Sequence, residues 1–291
     1  MVPSLSVNEP LKNHTTFHIG GPAAFFATVP RMEALCALKK LSIIENIPLL
    51  VIGSGSNMLF NDQGFPGIVI KLDECFTEIV WREDTVGSGN VQAGAGAFLW
   101  QLSREASARG FNGLLGCTGI PGTIGGAVVG NAGTQAGWIG DSVAGVDVLT
   151  VTGDIEYRGR DLLHFSYRSS NLSDLIVVSV HFSLKKLAKN DSVIEEISTM
   201  VERRKKTQPL GDWSAGCVFK NPAGDSAGRL IDACGLKGLM FGGACISEKH
   251  ANFIVNTGTA TASDVRHLIH LAHQKVKEQF GIELQLEIQI V

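Results

Sequence analysis

Residues 116–133 read GCTGIPGTIGGAVVGNAG. Glycine recurs at Gly116, Gly119, Gly122, Gly125, Gly126, Gly130 and Gly133, broken only by small or apolar residues and by Pro121. Glycine inside an element costs conformational entropy, so it collects where φ must be positive or where backbone must approach another group closely. The stretch carries no charged side chain. Anything lying against it is held by main-chain N–H groups and by shape. It reads either as a tight loop between packed elements or as a cradle for a phosphate or a planar cofactor.

Upstream, Ile47–Ile52 (IPLLVI) suits a short buried strand and empties into Gly53-Ser54-Gly55-Ser56-Asn57. A strand running into small residues gathers N–H groups at one end, the geometry of an anion nest. The common fingerprints fail. G-x-G-x-x-G breaks at Met58 after Gly53 and at Leu99 after Gly94, and G-x-x-x-x-G-K-[ST] is absent. An ordinary dinucleotide fold or P-loop is therefore disfavoured, while Ser54, Ser56 and Asn57 still offer side-chain donors to a pyrophosphate.

Helical spacing or flanking signals predict helices over 32–46, 98–109, 193–206, 227–234 and 264–280. The apolar positions of the third are Ile194, Ile197 and Val201, and those of the last are Val265, Leu268, Leu271, Ala272 and Val276. Short strands are expected over 23–29, 68–72, 79–81, 90–93, 145–150, 155–157 and 175–184. Many short strands around a glycine-rich centre predict an α+β fold rather than a regular βαβ array. The alternation over 282–291 predicts a final strand with Leu284, Leu286, Ile288 and Ile290 on one face and Glu283, Gln285, Glu287 and Gln289 on the other.

The 291 residues carry a net charge of only −3, which speaks against nucleic acid as a partner. No signal peptide is visible, and no apolar run approaches the roughly 20 residues needed to span a bilayer. The six cysteines are scattered with no C-x-x-C pair, a reduced, cytoplasmic pattern in which most are expected to be small buried residues. His267, His270 and His273 walk around their helix and read as a hydrated face rather than a metal site. Glu202 to Lys206 reads as a solvated last helical turn. By spacing alone Cys217 is a buried thiol, Arg168 a surface cation and Glu287 an exposed carboxylate.

Taken together, six ordered segments are similar to the UDP-N-acetylenolpyruvoylglucosamine reductases. They are Thr16 to Gly21; Gly53 to Asn57; Gly119 to Gly126 with Asn131 to Gly133; Tyr167 to Ser169; Gln208-Pro209 with Ala215 to Pro222; and Glu287-Ile288. The resemblance covers essentially the whole chain. It implies an FAD-binding fold of two α+β subdomains, vanillyl-alcohol-oxidase-like, over 1–71 and 72–206, plus a smaller α+β substrate domain over 207–291. It implies NADPH as hydride donor and a nucleotide-sugar substrate in peptidoglycan precursor synthesis, handled by a monomer or weak homo-oligomer. Gly20, Gly53, Ser54, Gly55, Ser56, Asn57, Gly119, Ile120, Pro121, Gly122, Thr123, Gly125 and Gly126 would hold the cofactor. Arg204, Lys220 and Asn221 would hold the substrate. Arg168, Cys217 and Glu287 would be catalytic: Arg168 polarising the substrate carboxylate, Glu287 stabilising the enol, and Cys217 donating a proton. The family's usual donor is serine, so Cys217 is a departure. The short spacing between Lys186 and Glu202 is a second, because it lacks the insertion that carries a tyrosine in one branch. The rival readings are another flavin oxidase of related fold and a non-catalytic flavin-binding module.

Overall fold

The structure, a computed structural model, describes residues 4–83, 88–186 and 191–291. The chain folds as two compact units, each assembled from separated segments. The first comprises Met1–Ser6, Phe25–Gly53 and Gly67–Val201, and the second Val7–Ala24, Ser54–Pro66 and Glu202–Val291. The helices are α1 (Met32–Ile44), α2 (Leu99–Ala108), α3 (Ile124–Val129), α4 (Asp191–Thr207), α5 (Ala227–Ala233) and α6 (Ala262–Phe280).

One sheet runs in the order Ser4–Pro10, Pro22–Val29, Phe65–Leu72, Leu49–Ile52, the last two strands being parallel. The largest sheet is antiparallel, in the order Ile155–Gly159, Val143–Leu149, Ile176–Lys186, Ser88–Gly94, Ile79–Glu83, with Phe111–Asn112 also pairing with Ile176–Lys186. Its logic is visible along Ile176–Lys186, where Val178, Val180, Phe182 and Leu184 alternate inward and are at most 3 % exposed. They share a core with Leu99 and Leu102 of α2 and Ile124 and Val128 of α3. Burying each such side chain contributes about 1.5–3 kcal/mol. The α+β expectation holds. The Ile47–Ile52 strand is shorter than expected and only half buried until Ile52.

The glycine stretch departs from a simple loop. It contains a turn of 3-10 helix at Leu115–Cys117 and the six-residue α3. Its glycines serve close packing of backbone. A Cβ on Gly116 would lie 2.0 Å from the Gly137 carbonyl oxygen, and one on Gly125 would lie 2.8 Å from the Ala95 Cβ. The N–H groups of Ile124 and Gly125 donate to the carbonyls of Ala97 and Ala95, both at 2.8 Å. This explains why helix survives in so glycine-rich a sequence: burial of Ile124, Ala127 and Val128 offsets the entropy lost at two glycines.

In the second unit, Met240–Phe241, Ala244–Ile246 and Ile254–Asn256 form an antiparallel sheet beneath α6. Val265, Leu268, Ala272 and Val276 of α6 are buried as expected, whereas Leu271 is only half buried. The start of α6 is fixed by a Thr261–Asp264 capping box and by Asp62, whose carboxylate accepts from the N–H groups of Ala262 (2.7 Å) and Ser263 (3.0 Å). Gly281, in the left-handed region, closes it. Ile194 and Ile197 of α4 lie outside the residues whose side chains are described.

Two expectations are corrected. The last segment is not one strand. Only Gln289–Ile290 is a strand, parallel to Met58–Leu59, and Leu286 is 38 % exposed while Leu284 and Ile288 are buried. The reason is that residues 285–288 lie along residues 218–220 and take their hydrogen bonds there. The cysteines are not mostly buried. Cys117 alone is, and burial pushes its thiol up to about 12. Cys75 is exposed and the other four are half buried. Several sit outside the regular cores: Cys75 within a 3-10 turn, Cys234 at the end of α5, and Cys217 after the left-handed Gly216.

Candidate active site

In the first unit Gly53, the first residue of one glycine-rich segment singled out in the sequence, meets the other segment. A Cβ on Gly53, at the end of the Leu49–Ile52 strand, would lie 2.2 Å from Thr123 Oγ1. Gly119 (φ +70°) and Gly122 (φ +128°) bracket Ile120-Pro121 in a turn, and the Gly122 carbonyl accepts from Leu99 N–H at 3.1 Å. Thr123 is buried, and a Cβ on Gly126 would meet nothing nearer than Thr123 Oγ1 at 3.7 Å. The result is an uncharged, tightly apposed pair of backbone segments in which a side chain at position 53 has no room.

Arg168 sits at the tip of the hairpin formed by Phe165–Ser166 and Ser169–Ser170, in the left-handed region (φ +54°). Its Nη1 donates to the Gly133 carbonyl at 2.9 Å, and its guanidinium lies 5.2 Å from the Trp138 ring and 5.7 Å from the Tyr167 ring. The hairpin is stitched to the glycine stretch. Asn131 Nδ2 donates to the Ser166 carbonyl (2.8 Å) while its Oδ1 accepts from Gly140 N–H (3.1 Å), and Ser170 Oγ donates to the Val129 carbonyl (2.7 Å). The guanidinium is thereby presented by a rigid turn.

In the second unit Gly55, in the left-handed region (φ +61°), packs on the residues just before the first signature segment. A Cβ there would lie 2.2 Å from the His14 carbonyl oxygen and 2.7 Å from Thr15 Cα. The Gly55 carbonyl accepts from Thr16 N–H at 3.4 Å. Gly20 is confined less tightly, its Cβ position 2.8 Å from the Phe60 Cβ. Asn57 Nδ2 donates to the Glu287 carbonyl at 3.0 Å and the Asn57 carbonyl accepts from Gln289 N–H at 2.9 Å. The amide expected at a pyrophosphate thus also holds the backbone of the expected catalytic glutamate.

Cys217 and Glu287 are brought together across one backbone ladder. Glu287 N–H donates to the Val218 carbonyl (2.8 Å) and Lys220 N–H to the Gln285 carbonyl (2.8 Å). Both Cys217 and Glu287 are half buried. Arg204 departs from the solvated turn expected for its charge run. It is half buried, its Nε donates to Gln208 Oε1 at 3.1 Å, and its neighbours 203, 205 and 206 are exposed. Burial lowers the Arg204 pKa and the Cys217 sulfur counters that, which places guanidinium and thiol within electrostatic reach. Lys220 is half buried, and Asn221 is exposed with its Oδ1 accepting from Ala227 N–H at 3.0 Å at the start of α5.

Sequence reasoning did not find Asn252. It is 2 % exposed, and its side chain bonds both main-chain groups of Phe219. The signal was present: an amide inside the apolar run Ala251 to Val255 needs internal partners. Next to it, His250 accepts Asn252 N–H at Nδ1 (3.2 Å), which fixes a neutral ring. Burial, with help from Lys237, holds the His250 pKa below the ordinary value of 6.5. Below about pH 6.5 the unfolded chain binds a proton that the folded chain resists, so stability falls as pH drops through that range. Urea unfolding at a series of pH values is expected to show this slope, and His250→Gln to flatten it. An unchanged slope in the variant would assign the effect to other groups.

His267 and His270 are exposed and His273 half buried, as read from spacing, and His267 stacks on Phe241 with ring centroids 3.6 Å apart. Among the described residues no helix is long and apolar enough to cross a membrane.

Residues 208–291 match the family described as UDP-N-acetylenolpyruvoylglucosamine reductase, C-terminal domain, and residues 23–157 match one described as FAD binding domain. The chain is 41 % identical over 289 residues to the UDP-N-acetylenolpyruvoylglucosamine reductase of Desulforamulus reducens, covering 99 % of this chain and 94 % of that one. It is 43 % identical over 284 residues to that of Moorella thermoacetica, covering 97 % and 92 %. Among solved structures it is similar to the UDP-N-acetylenolpyruvylglucosamine reductase of Thermus caldophilus, with a TM-score of 0.82 and 38 % identity, covering 100 % of this chain and 99 % of that one.

Proposed function

Since this chain belongs to the UDP-N-acetylenolpyruvoylglucosamine reductase family, we propose that it reduces UDP-N-acetylglucosamine enolpyruvate to UDP-N-acetylmuramate with FAD and NADPH, a step of peptidoglycan precursor synthesis. The observation that carries this reading is likeness over nearly the full length of relatives that bear that name. We further propose a cytoplasmic enzyme, monomeric or weakly associating, with FAD-binding parts over 1–71 and 72–206 and a substrate domain over 207–291.

The residues present fit FAD. The Gly53–Thr123 junction is uncharged and excludes a Cβ, which suits a group recognised through main-chain N–H donors and shape. Gly53, Gly119 to Thr123, Gly125 and Gly126 would shape this cradle, and Gly20 and Ser54 to Asn57 are proposed as further cofactor-binding residues. When bound, FAD reduced by NADPH supplies hydride to the terminal carbon of the enolpyruvyl ether.

That carbon accepts hydride only if negative charge moves toward the substrate carboxylate. Arg168, preorganised by Gly133 and by the Trp138 and Tyr167 rings, would bind and polarise that carboxylate. Glu287 in its protonated form would stabilise the enol. Cys217 would donate a proton to the carbon beside the carboxylate. A thiol, of reference pKa about 8.5, is a far stronger acid than a serine hydroxyl. Arg204, Lys220 and Asn221 would meet the nucleotide-sugar.

NADPH oxidation by the flavin-loaded protein tests the reading. It is expected to depend on the enolpyruvyl nucleotide-sugar and to yield one UDP-N-acetylmuramate per NADPH. NADPH oxidation indifferent to that substrate would favour a different flavin oxidoreductase, and bound FAD without NADPH oxidation a binding module.

A further inference from the structure

We propose that Asn252 is the positioning residue that sets Cys217 for proton transfer, an inference that rests on Cys217 being the proton donor. One buried amide acts here as a substitute for a neighbouring strand. Asn252 Nδ2 donates to the Phe219 carbonyl (2.8 Å), Oδ1 accepts from Phe219 N–H (2.9 Å), and the Asn252 carbonyl accepts from Val218 N–H (2.8 Å). The opposite edge of the same short segment is bonded to residues 285–287, through Glu287 N–H on Val218 and Lys220 N–H on Gln285. Residues 218–220 are therefore pinned from both edges.

Cys217 immediately precedes this clamp. On its other side is Gly216, in the left-handed region (φ +78°), with nothing within 4 Å of its Cβ position. Upstream packing at Gly216 does not locate the sulfur. The clamp downstream does, and it also fixes the register between Cys217 and Glu287. Asn252 is itself only 2 % exposed, so it acts through Val218 and Phe219 rather than on substrate. A buried amide is costly unless its bonds are made. Both bonds of the side-chain amide go to Phe219, and the Asn252 main-chain carbonyl takes the Val218 N–H, so all three reach the two residues that follow Cys217.

The test separates positioning from mere structure through Asn252→Asp and Asn252→Ala, each loaded with FAD and followed in two half-reactions. The carboxyl introduced by Asn252→Asp keeps the shape and one acceptor but loses the donor to Phe219 when ionised, and regains it when protonated. In this variant, flavin reduction by NADPH is expected to match wild type. Reoxidation by the enolpyruvyl substrate is expected to be about 10²-fold slower at neutral pH, as for a misplacement of about 1 Å, and to recover as pH falls. In deuterium oxide the product carbon is expected to lose stereochemical purity, because solvent competes with the thiol. Asn252→Ala is expected to show the same defect without recovery at low pH. Unchanged reoxidation in either variant, or a parallel loss in both half-reactions, overturns the proposal. If wild-type protein fails to reduce the enolpyruvyl substrate, the enzymatic reading fails. If Cys217→Ala still turns over, the donor assignment fails.

Discussion

Cys217→Ala is expected to slow reoxidation of the reduced flavin by the enolpyruvyl substrate by about 10³-fold or more, while NADPH reduces the flavin at the wild-type rate. The asymmetry follows from where the residue acts. Hydride transfer from NADPH involves no proton from Cys217, whereas saturating the enolpyruvyl carbon needs one. Loss of a positioned general acid typically removes 10²- to 10⁴-fold, about 3–5 kcal/mol of transition-state stabilisation. Stopped-flow measurement of the two half-reactions separates them, and full turnover in the variant would remove Cys217 from the mechanism. Cys217→Ser provides the companion result. It is expected to retain much of the activity, because a hydroxyl fits the same half-buried position beside Glu287, and to resist alkylation and oxidation. Inactivation of that variant by thiol reagents at the wild-type rate would point to another cysteine, and exposed Cys75 is the first candidate.

Gly55→Ala is expected to be the most disruptive single-methyl change in the cofactor segments. Two penalties fall on one residue. Its φ of +61° is in the left-handed region, which costs an L-residue about 1–2 kcal/mol. The new Cβ would also lie 2.2 Å from a backbone oxygen and 2.7 Å from a backbone Cα, neither of which can rotate away. Forced overpacking of that kind costs typically 1–3 kcal/mol. Because His14 and Thr15 immediately precede the first signature segment, the strain is passed to the turn that ends in Gly20 and Gly21. The expected result is a loss of about 2–5 kcal/mol in unfolding free energy together with loss of bound FAD after gel filtration. Wild-type visible absorbance and an unshifted thermal transition would show that the segment yields more easily than its geometry implies. Gly126→Ala is the contrast, since its nearest neighbour at 3.7 Å leaves room for a methyl group.

The glycine-rich segments were legible because glycine is chosen for a reason that local sequence records. What the sequence did not record was the partner. That Gly53 abuts Thr123, 70 positions later, and that Gly55 abuts His14, depends on which segments the fold brings together. The α+β class and α6 were readable from periodicity and capping. The final segment was misread because alternation states that one face is buried but not that a sheet is the burying surface. Residues 218–220 serve that purpose instead, and their own outer edge is closed by Asn252 through its side-chain amide and its main-chain carbonyl. Arg168, Cys217 and Glu287 had no local signature of function. Each looked ordinary until its surroundings were visible: a carbonyl and two rings for Arg168, and a shared ladder for the other two.

The interleaving of the two units sets a timetable for synthesis. The first unit has all its segments once Val201 has emerged, but the second waits. Asn57 meets Glu287 only after 230 further residues. At about 5–20 residues per second, that is roughly 12–46 s during which Met58 and Leu59 lack the parallel strand that later covers them. Parallel pairing between such distant segments is slow to form even when both are present. The nascent chain therefore gains a finished first unit well before it gains a place for Glu287, and the donor segment is the last part of the enzyme to become competent.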